Sequence, residues 1–110
     1  VVVKSSAGAI EYVPVAKVTN IAQTIDYLKD QGYWIAGADM EGRDYYYQAD
    51  LRGPIAIVIG SEGKGIGRLV KEKCDFLLRI PMKGGVSSLN AAVAGAILLY
   101  EVRRQRDQRE

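Results

Sequence analysis

The chain has 110 residues, enough for one domain with its own core but not for two. Hydrophobic residues make up 48% and charged residues 25%, the usual balance of a globular protein. The sequence has no histidine and a single cysteine, Cys74, which excludes histidine-dependent triads, imidazole metal sites and intrachain disulfides. No stretch reaches the roughly 18 uninterrupted apolar residues of a membrane helix. With a net charge of only +2, nucleic-acid binding would depend on local placement of charge.

The pattern of apolar residues predicts strands and helices in alternation, joined by short loops. Asn20, with Gln23 three residues later, resembles a capping box, and Gly32 is a helix stop. Residues 55–59 are apolar at every position, as in a central strand covered on both faces. The predicted elements are a short strand at 13–18, a helix from 21 to Gly32, a strand at 33–38, a polar loop at 39–44, an ambiguous stretch at 45–53, a strand at 55–59, a helix ending at 73, a strand at 76–80 and a helix at about 88–105.

This alternation predicts an α/β domain with a mostly parallel sheet flanked by helices on both faces. In such sheets, ligands bind where loops leave the carboxyl ends of the strands. Three loops are therefore candidates for a functional site: those that follow Ala38, Ile59 and Ile80.

The loop at 60–65 is rich in glycine and links the clearest strand to a helix. Glycines let the backbone approach a ligand closely and expose amide N–H groups. The P-loop spacing fails because Lys64 is followed by Gly65, and the glycines do not fit the dinucleotide-binding fingerprint. The loop therefore either contacts a ligand in another way or only connects strand and helix.

A second candidate segment begins at Ile80 and opens the last helix. Ser87 or Ser88 can cap that helix, because its first N–H groups lack backbone partners. Asn90 lies inside the first turn, where asparagine adds little to helix stability. Its carboxamide can instead hold a ligand, and the spacing alone leaves both interpretations open.

The stretch Ile57–Gly65, the triplet Ile80–Met82 and the stretch Val86–Ala94 occur in this order. Together they closely resemble motifs 2 and 3 of the SpoU (TrmH-like) family of RNA ribose 2′-O-methyltransferases, which belongs to the SPOUT superfamily. The resemblance runs from about Ser6 to Arg106, nearly the whole chain. It is strongest to the branch that modifies guanosine in 23S rRNA, with the tRNA branch next.

The resemblance implies a SPOUT-type fold that ends in a deep C-terminal trefoil knot, a feature that general topology rules would exclude. It also implies that S-adenosylmethionine binds without a metal, mainly to backbone groups of three loops, and leaves as S-adenosylhomocysteine. The implied partners are RNA, with rRNA favoured over tRNA, and a second copy packed partly through the last helix. Neither DNA nor a membrane is an expected partner, and the expected location is the cytoplasm. The residues implied to bind the cofactor are Ala38, Gly60, Gly63, Ile80, Met82 and Leu89.

Methyl transfer from a sulfonium needs neither a metal nor a histidine, but it does need an in-line approach to an activated ribose hydroxyl. The resemblance implies catalytic roles for Glu62, Ser88 and Asn90. Ser88 and Asn90 can hydrogen-bond the cofactor or the substrate, and Glu62 can orient an arginine or a substrate group. Family motif 1, which supplies an asparagine and an arginine, is absent from this sequence. We expect it upstream of Val1, with residues 1–110 forming the rest of one methyltransferase domain.

Several other side chains have alternative interpretations. Tyr45–Tyr47 can stack on RNA bases or pack at the periphery or an interface. Lys64 and Lys83 lie in the two motif loops and can contact RNA. The arginines near the end of the last helix can meet phosphates or form a solvated helix end, and Cys74 is predicted to be a small buried apolar residue. A tRNA methyltransferase, or a cofactor- or RNA-binding fragment without turnover, is the alternative to an rRNA methyltransferase.

Overall fold

The structure, a computed structural model, describes residues 2–3, 15–16, 20–60, 66–81 and 91–108. Every predicted helix and strand has a counterpart, although the strand at 13–18 is confirmed only at 15–16 and the start of the last helix at 88–90 lies outside the described residues. None of the helices in these ranges is long and apolar enough to cross a membrane. In chain order the elements are β1 (Val2–Val3), β2 (Val15–Ala16), α1 (Ile21–Asp30), β3 (Trp34–Ala38), β4 (Asp44–Tyr45), β5 (Ile55–Val58), α2 (Arg68–Lys73), β6 (Phe76–Arg79) and α3 (Ala91–Asp107).

Four strands form a parallel sheet in the order β4-β6-β3-β5. β1 and β2 pair separately and antiparallel. β3 lies inside the sheet, with Gly37 beside Val58 of β5 and Ala38 beside Leu78 of β6. The predicted parallel α/β sheet is thereby confirmed.

The prediction that 55–59 is a central strand is not confirmed. Within the described residues β5 is an edge strand, and all four of its residues are only partly buried. An all-apolar strand indicates contacts on both faces, but it carries no information about whether both edges are paired.

Neighbouring residues of β3 point to opposite faces of the sheet. Helices cover both of these faces. On one face, Ala36 and Leu78 pack in a buried cluster with Leu51 and with Leu98 and Val102 of α3. On the other face α1 contacts β3 and α2. The sheet is therefore held between α3 on one side and α1 with α2 on the other.

Helix α1 begins and ends as its sequence predicts. The Oδ1 of Asn20 accepts a hydrogen bond from the backbone N–H of Gln23 at 3.0 Å. At the other end Gly32 has a φ of +95°, a conformation that favours glycine. The N–H of Gly32 and that of Tyr33 donate to the carbonyls of Lys29 and Leu28, both at 3.0 Å, which is the Schellman arrangement.

A hydrogen-bond network fastens α3 to the chain before β5. The Gln105 amide donates to the Ala49 carbonyl at 2.9 Å and accepts from the Leu51 N–H at 2.7 Å. The same amide donates to Glu101 at 2.8 Å, and Arg104 donates to both oxygens of Glu101 at 2.9 and 2.7 Å. Glu101 is only 5% exposed, so this pairing satisfies a buried carboxylate.

Stability is expected to fall in acid partly through Glu101. Hydrogen bonds from Arg104 hold the pKa of Glu101 below its ordinary value, against the opposing effect of burial, and Gln105 lowers it further. A carboxyl group whose pKa is lower in the folded state stabilises the fold above its unfolded pKa, and this contribution is lost as the pH falls through the folded value. We therefore expect the free energy of unfolding to decrease as the pH drops below about 4.5.

Urea unfolding from neutral to acidic pH measures this decrease. Glu101→Gln is expected to flatten the acid part of the profile, because it removes the titrating carboxyl. Glu72→Gln is the matched control: Glu72 makes an exposed ion pair with Arg68 on α2, and such pairs contribute little to stability. A Glu101→Gln profile with the parent slope would contradict the prediction.

Candidate functional site

The carboxyl ends of β3, β5 and β6 lie side by side at one edge of the sheet. The register places Gly37 beside Val58 and Ala38 beside Leu78. The three loops singled out in the sequence therefore leave the same edge, which we call the carboxyl edge. Ala38, Gly60 and Ile80 all stand at this edge, and each is partly buried.

The loop after β3 is fixed to its neighbours. The N–H of Asp39 donates to the Leu78 carbonyl at 2.9 Å, and the N–H of Gly42 donates to the Asp39 carbonyl at 3.0 Å. The Asp39 carboxylate, 13% exposed, lies 3.4 Å from the ammonium of Lys71 on α2. One side of the carboxyl edge is thus held by both β6 and α2.

Gly42 is expected to tolerate no side chain. A Cβ at this position would lie 2.6 Å from the carbonyl oxygen of Leu77 and 2.8 Å from its carbonyl carbon, both backbone atoms. Gly42→Ala must therefore move the loop away from β6, and we expect a cost of about 1–3 kcal/mol. Thermal unfolding should show a melting temperature lower by about 4–8 °C for each kcal/mol.

Gly53→Ala is the control for that substitution. A Cβ at Gly53 would lie 3.6 Å from the Trp34 side chain, an ordinary contact. A Gly42→Ala protein with the melting temperature of the Gly53→Ala protein would show that the loop is not tightly packed on β6.

The short strand β4 brings aromatic side chains to β6 near the carboxyl edge. Tyr45 pairs in register with Arg79, and the N–H of Tyr46 donates to the Arg79 carbonyl at 2.9 Å. The guanidinium carbon of Arg79 lies 4.4 Å from the centre of the Tyr45 ring. The Nε of Arg79 is buried and has no hydrogen-bond partner within the described part of the chain. The guanidinium therefore interacts with the Tyr45 ring by a cation–π contact rather than through a hydrogen bond from Nε.

Sequence reasoning did not single out Arg79, since an arginine at the end of a strand carries no signal of its own. The contact of Arg79 with the Tyr45 ring depends on the pairing of β4 with β6, which joins residues far apart in the chain.

Six of the predicted site residues lie outside the described residues, so their roles remain predictions. Lys64 and Lys83 also lie outside the described residues, and the predicted trefoil knot likewise stays a prediction. The six residues are Glu62, Gly63, Met82, Ser88, Leu89 and Asn90.

The arginines of α3 make contacts within the chain. Arg103 donates to Asp107 at 3.1 Å, and Arg104 binds Glu101. Arg106 donates to the carbonyl of Gly53 at 2.9 Å. These contacts favour a structural role for the three arginines over the phosphate-binding alternative.

A groove of about 460 Å³ lies along α3. Its surface is mainly apolar, and Tyr100 is 48% exposed. This is the helix through which the sequence resemblance predicts contact with a second copy. The residues lining the groove are Tyr46, Ala96, Ile97, Tyr100, Glu101 and Arg104.

Cys74 is half-buried at the end of α2, close to β3. A Cβ on Gly37 would lie 2.8 Å from its sulfur, so the thiol packs against the strand. Burial raises the pKa of the Cys74 thiol, and the charge of Asp75 raises it further. The prediction that Cys74 is a small buried residue is confirmed only in part, because the side chain packs against β3 but is only partly buried.

The carboxyl edge suits the chemistry of S-adenosylmethionine. Ala38, Gly60 and Ile80 carry small or apolar side chains. The polar groups that these residues can offer to a ligand are therefore their backbone amides and carbonyls. An adenine ring and its ribose need apolar walls with a few placed hydrogen-bonding groups, which strand ends of this kind supply.

Comparison with known proteins agrees with this architecture. Residues 1–100 match the SpoU rRNA Methylase family. YacO of Bacillus subtilis (strain 168), which its name assigns to the TrmH family of tRNA/rRNA methyltransferases, is 56% identical over 106 residues. That alignment covers 96% of this chain and 43% of YacO.

Two solved structures resemble the fold closely. The SpoU methyltransferase AviRb from Streptomyces viridochromogenes, in complex with the cofactor AdoMet, has a TM-score of 0.73 and 32% identity over 83% of this chain and 36% of AviRb. The A. aeolicus TrmH/SpoU tRNA modifying enzyme also has a TM-score of 0.73, with 34% identity over 84% of this chain and 47% of that enzyme.

The parallel sheet flanked by helices therefore matches the SPOUT methyltransferases. Within that class, the chain belongs to the SpoU rRNA Methylase family. It spans less than half the length of curated relatives such as YacO. The resemblance seen in the sequence is confirmed at the level of the family, but the 23S rRNA guanosine branch is not, because the relatives' names cover both tRNA and rRNA.

Proposed function

We propose that the protein transfers a methyl group from S-adenosylmethionine to a ribose 2′-hydroxyl of RNA. A guanosine of 23S rRNA is the favoured substrate, and a tRNA nucleotide is the second candidate. The observation that carries the proposal is the meeting of three strand ends at one carboxyl edge, in a chain that belongs to the SpoU family. We place the reaction in the cytoplasm, because ribosomal and transfer RNA are the proposed substrates.

In this proposal the carboxyl edge holds the methyl donor. S-adenosylmethionine, when bound, supplies a methyl group made electrophilic by a sulfonium sulfur. Backbone groups at Ala38, Gly60 and Ile80 contact its adenosine, and the fixed loop at Asp39 keeps that side of the edge in place. Gly63, Met82 and Leu89 complete the binding set by their positions in the two motifs.

The residues assigned to catalysis orient the substrate. Ser88 and Asn90 hydrogen-bond the ribose or the donor, and Glu62 positions an arginine or a substrate group. Holding the hydroxyl in line with the methyl group lowers the entropic part of the barrier. The hydroxyl must also lose its proton, so the orienting residues act together with a group that accepts it.

We also propose that two copies of the protein pack along α3. The mainly apolar groove between Tyr46 and Tyr100 supports this assembly, because burial of an exposed apolar surface of this kind stabilises association. Sedimentation velocity measures the oligomeric state, and Ala96→Arg is expected to shift a dimer towards the monomer.

Methylation of defined RNA tests the proposed function. The protein, expressed from its complete reading frame, is incubated with deuterium-methyl S-adenosylmethionine and either unmodified 23S rRNA or unmodified tRNA transcripts. Mass spectrometry of the digested RNA should find labelled 2′-O-methylguanosine in the 23S rRNA. Label in tRNA alone would favour the second substrate, and S-adenosylhomocysteine binding without any label would favour a binding protein without turnover. Absence of both binding and label would overturn the proposal.

A further inference from the structure

Three side chains form a stack beside the carboxyl edge. The Arg79 guanidinium carbon lies 4.4 Å from the centre of the Tyr45 ring. The rings of Tyr45 and Tyr47 are parallel within 5°, with their centres 5.5 Å apart. The ring of Tyr46 meets that of Tyr47 nearly at a right angle, with centres 5.2 Å apart. We call Arg79, Tyr45 and Tyr47 together the Arg79–Tyr45–Tyr47 stack.

The stack lies at the same end of the sheet as Ile80, one of the residues proposed to bind the methyl donor. Tyr45 pairs with Arg79 in the sheet, and Ile80, one of the residues at the carboxyl edge, directly follows Arg79. The stack therefore stands at the end of the sheet where the RNA substrate is proposed to bind.

Tyr47 combines a fixed position with an accessible surface. Its side chain is 49% exposed although two other tyrosine rings contact it. Tyr46 lines the groove on α3, but Tyr47 is not among the described residues that do so. A ring already held in place loses little conformational freedom when a ligand stacks on it.

The charges around the stack favour a base over a phosphate as the ligand. Arg79 lies against the Tyr45 ring, and Glu41, Arg43 and Asp44 precede the tyrosines in sequence, so the formal charges of these four residues cancel. Phosphate binding depends on an excess of positive charge, which is not found among these residues. Stacking needs only an exposed aromatic face, and an unpaired base offers the matching one.

We propose that Tyr47 is a stacking platform for an unpaired nucleobase of the RNA substrate, next to the methylated nucleotide. This inference rests on the proposed function, since it takes its ligand from the RNA substrate. Tyr45 and Arg79 hold the platform from within the protein.

Fluorescence of a labelled RNA tests this inference. The protein, expressed from its complete reading frame, is titrated into a single-stranded oligoribonucleotide that carries 2-aminopurine, whose emission falls when an aromatic ring stacks on it. The wild type and Tyr47→Phe should bind and quench. Tyr47→Leu and Tyr47→Ala should bind about 5- to 150-fold more weakly, the range measured for loss of one base–aromatic stack. Tyr27→Ala, at a 62% exposed tyrosine of α1, is the control and should behave as the wild type.

The leucine variant separates stacking from apolar packing, because leucine preserves much of the apolar surface but has no aromatic face. Full affinity in Tyr47→Leu, or an unquenched wild-type complex, would overturn the inference. Sedimentation velocity is run on every variant, and dissociation of an oligomer by Tyr47→Ala would also overturn it, in favour of packing between copies. Failure of the proposed function itself would appear separately, as a wild type that does not bind S-adenosylhomocysteine in calorimetry.

Discussion

Replacing Gly60 with valine is expected to abolish binding of S-adenosylhomocysteine. Gly60 lies just beyond the end of β5, at the carboxyl edge where the adenosine of the ligand is proposed to lie. A valine side chain would occupy that space, and its branched Cβ cannot turn out of the way as a longer chain can. Isothermal titration calorimetry should show affinity lower by at least about 100-fold, equivalent to ~2.7 kcal/mol.

Gly67→Val is the matched control for this substitution. Gly67 precedes α2 and is exposed, and no atom of the described residues lies within 4 Å of the position that a Cβ would take. Valine there is expected to leave ligand affinity unchanged and to cost at most about 1 kcal/mol of stability at the helix start. Undiminished affinity in a folded Gly60→Val protein would refute the proposed binding edge.

The elements that the sequence predicts best are those with local signals. Helix α1 has a cap at Asn20 and a stop at Gly32, and both operate through hydrogen bonds between residues a few positions apart. The carboxyl edge was also predictable, because alternating strands and helices imply a parallel sheet whose loops leave one side. Local pattern and general topology together therefore locate the candidate site.

Non-local pairing accounts for what the sequence could not predict. β4 has two residues and no periodicity of its own, and it is a strand only because Asp44 and Tyr45 pair with β6. The same pairing creates the stack on Arg79, which no spacing in the sequence indicates. The position of β5 at the edge of the described sheet likewise depends on strand order, which an apolar run does not encode.

Gln105 is a second case in which a non-local contact, here one that stabilises the fold, could not be predicted from the sequence. In sequence it is one polar residue in the charged end of a helix, a position usually attributed to a solvated surface. In the structure its amide joins Ala49, Leu51 and Glu101, and so holds α3 to a segment more than fifty residues away. A polar side chain on a helix therefore needs its tertiary partners before it can be assigned to solvent, fold or function.

For Asn90, the sequence leaves open whether the side chain caps the last helix or holds a ligand. Asn90→Ala is expected to reduce RNA methylation far more than it reduces stability. If the carboxamide serves the ligand, its removal costs one or more hydrogen bonds made to the donor or the ribose during transfer, and we expect at least about a tenfold loss of kcat/KM, or ~1.4 kcal/mol. The unfolding free energy should change by less than about 0.5 kcal/mol. Steady-state methylation and urea unfolding measure the two effects.

Asn20→Ala is the control for Asn90→Ala, because it removes a side chain that caps a helix. Asn20 is an observed helix cap, with its Oδ1 accepting from the Gln23 N–H at 3.0 Å, and it lies at the start of α1 rather than in either motif loop. Its removal is expected to cost about 1 kcal/mol of stability and to leave the methylation rate unchanged. If Asn90→Ala follows the pattern of Asn20→Ala, the residue is a cap. If it instead loses activity at nearly constant stability, Asn90 belongs to the methyl-transfer site.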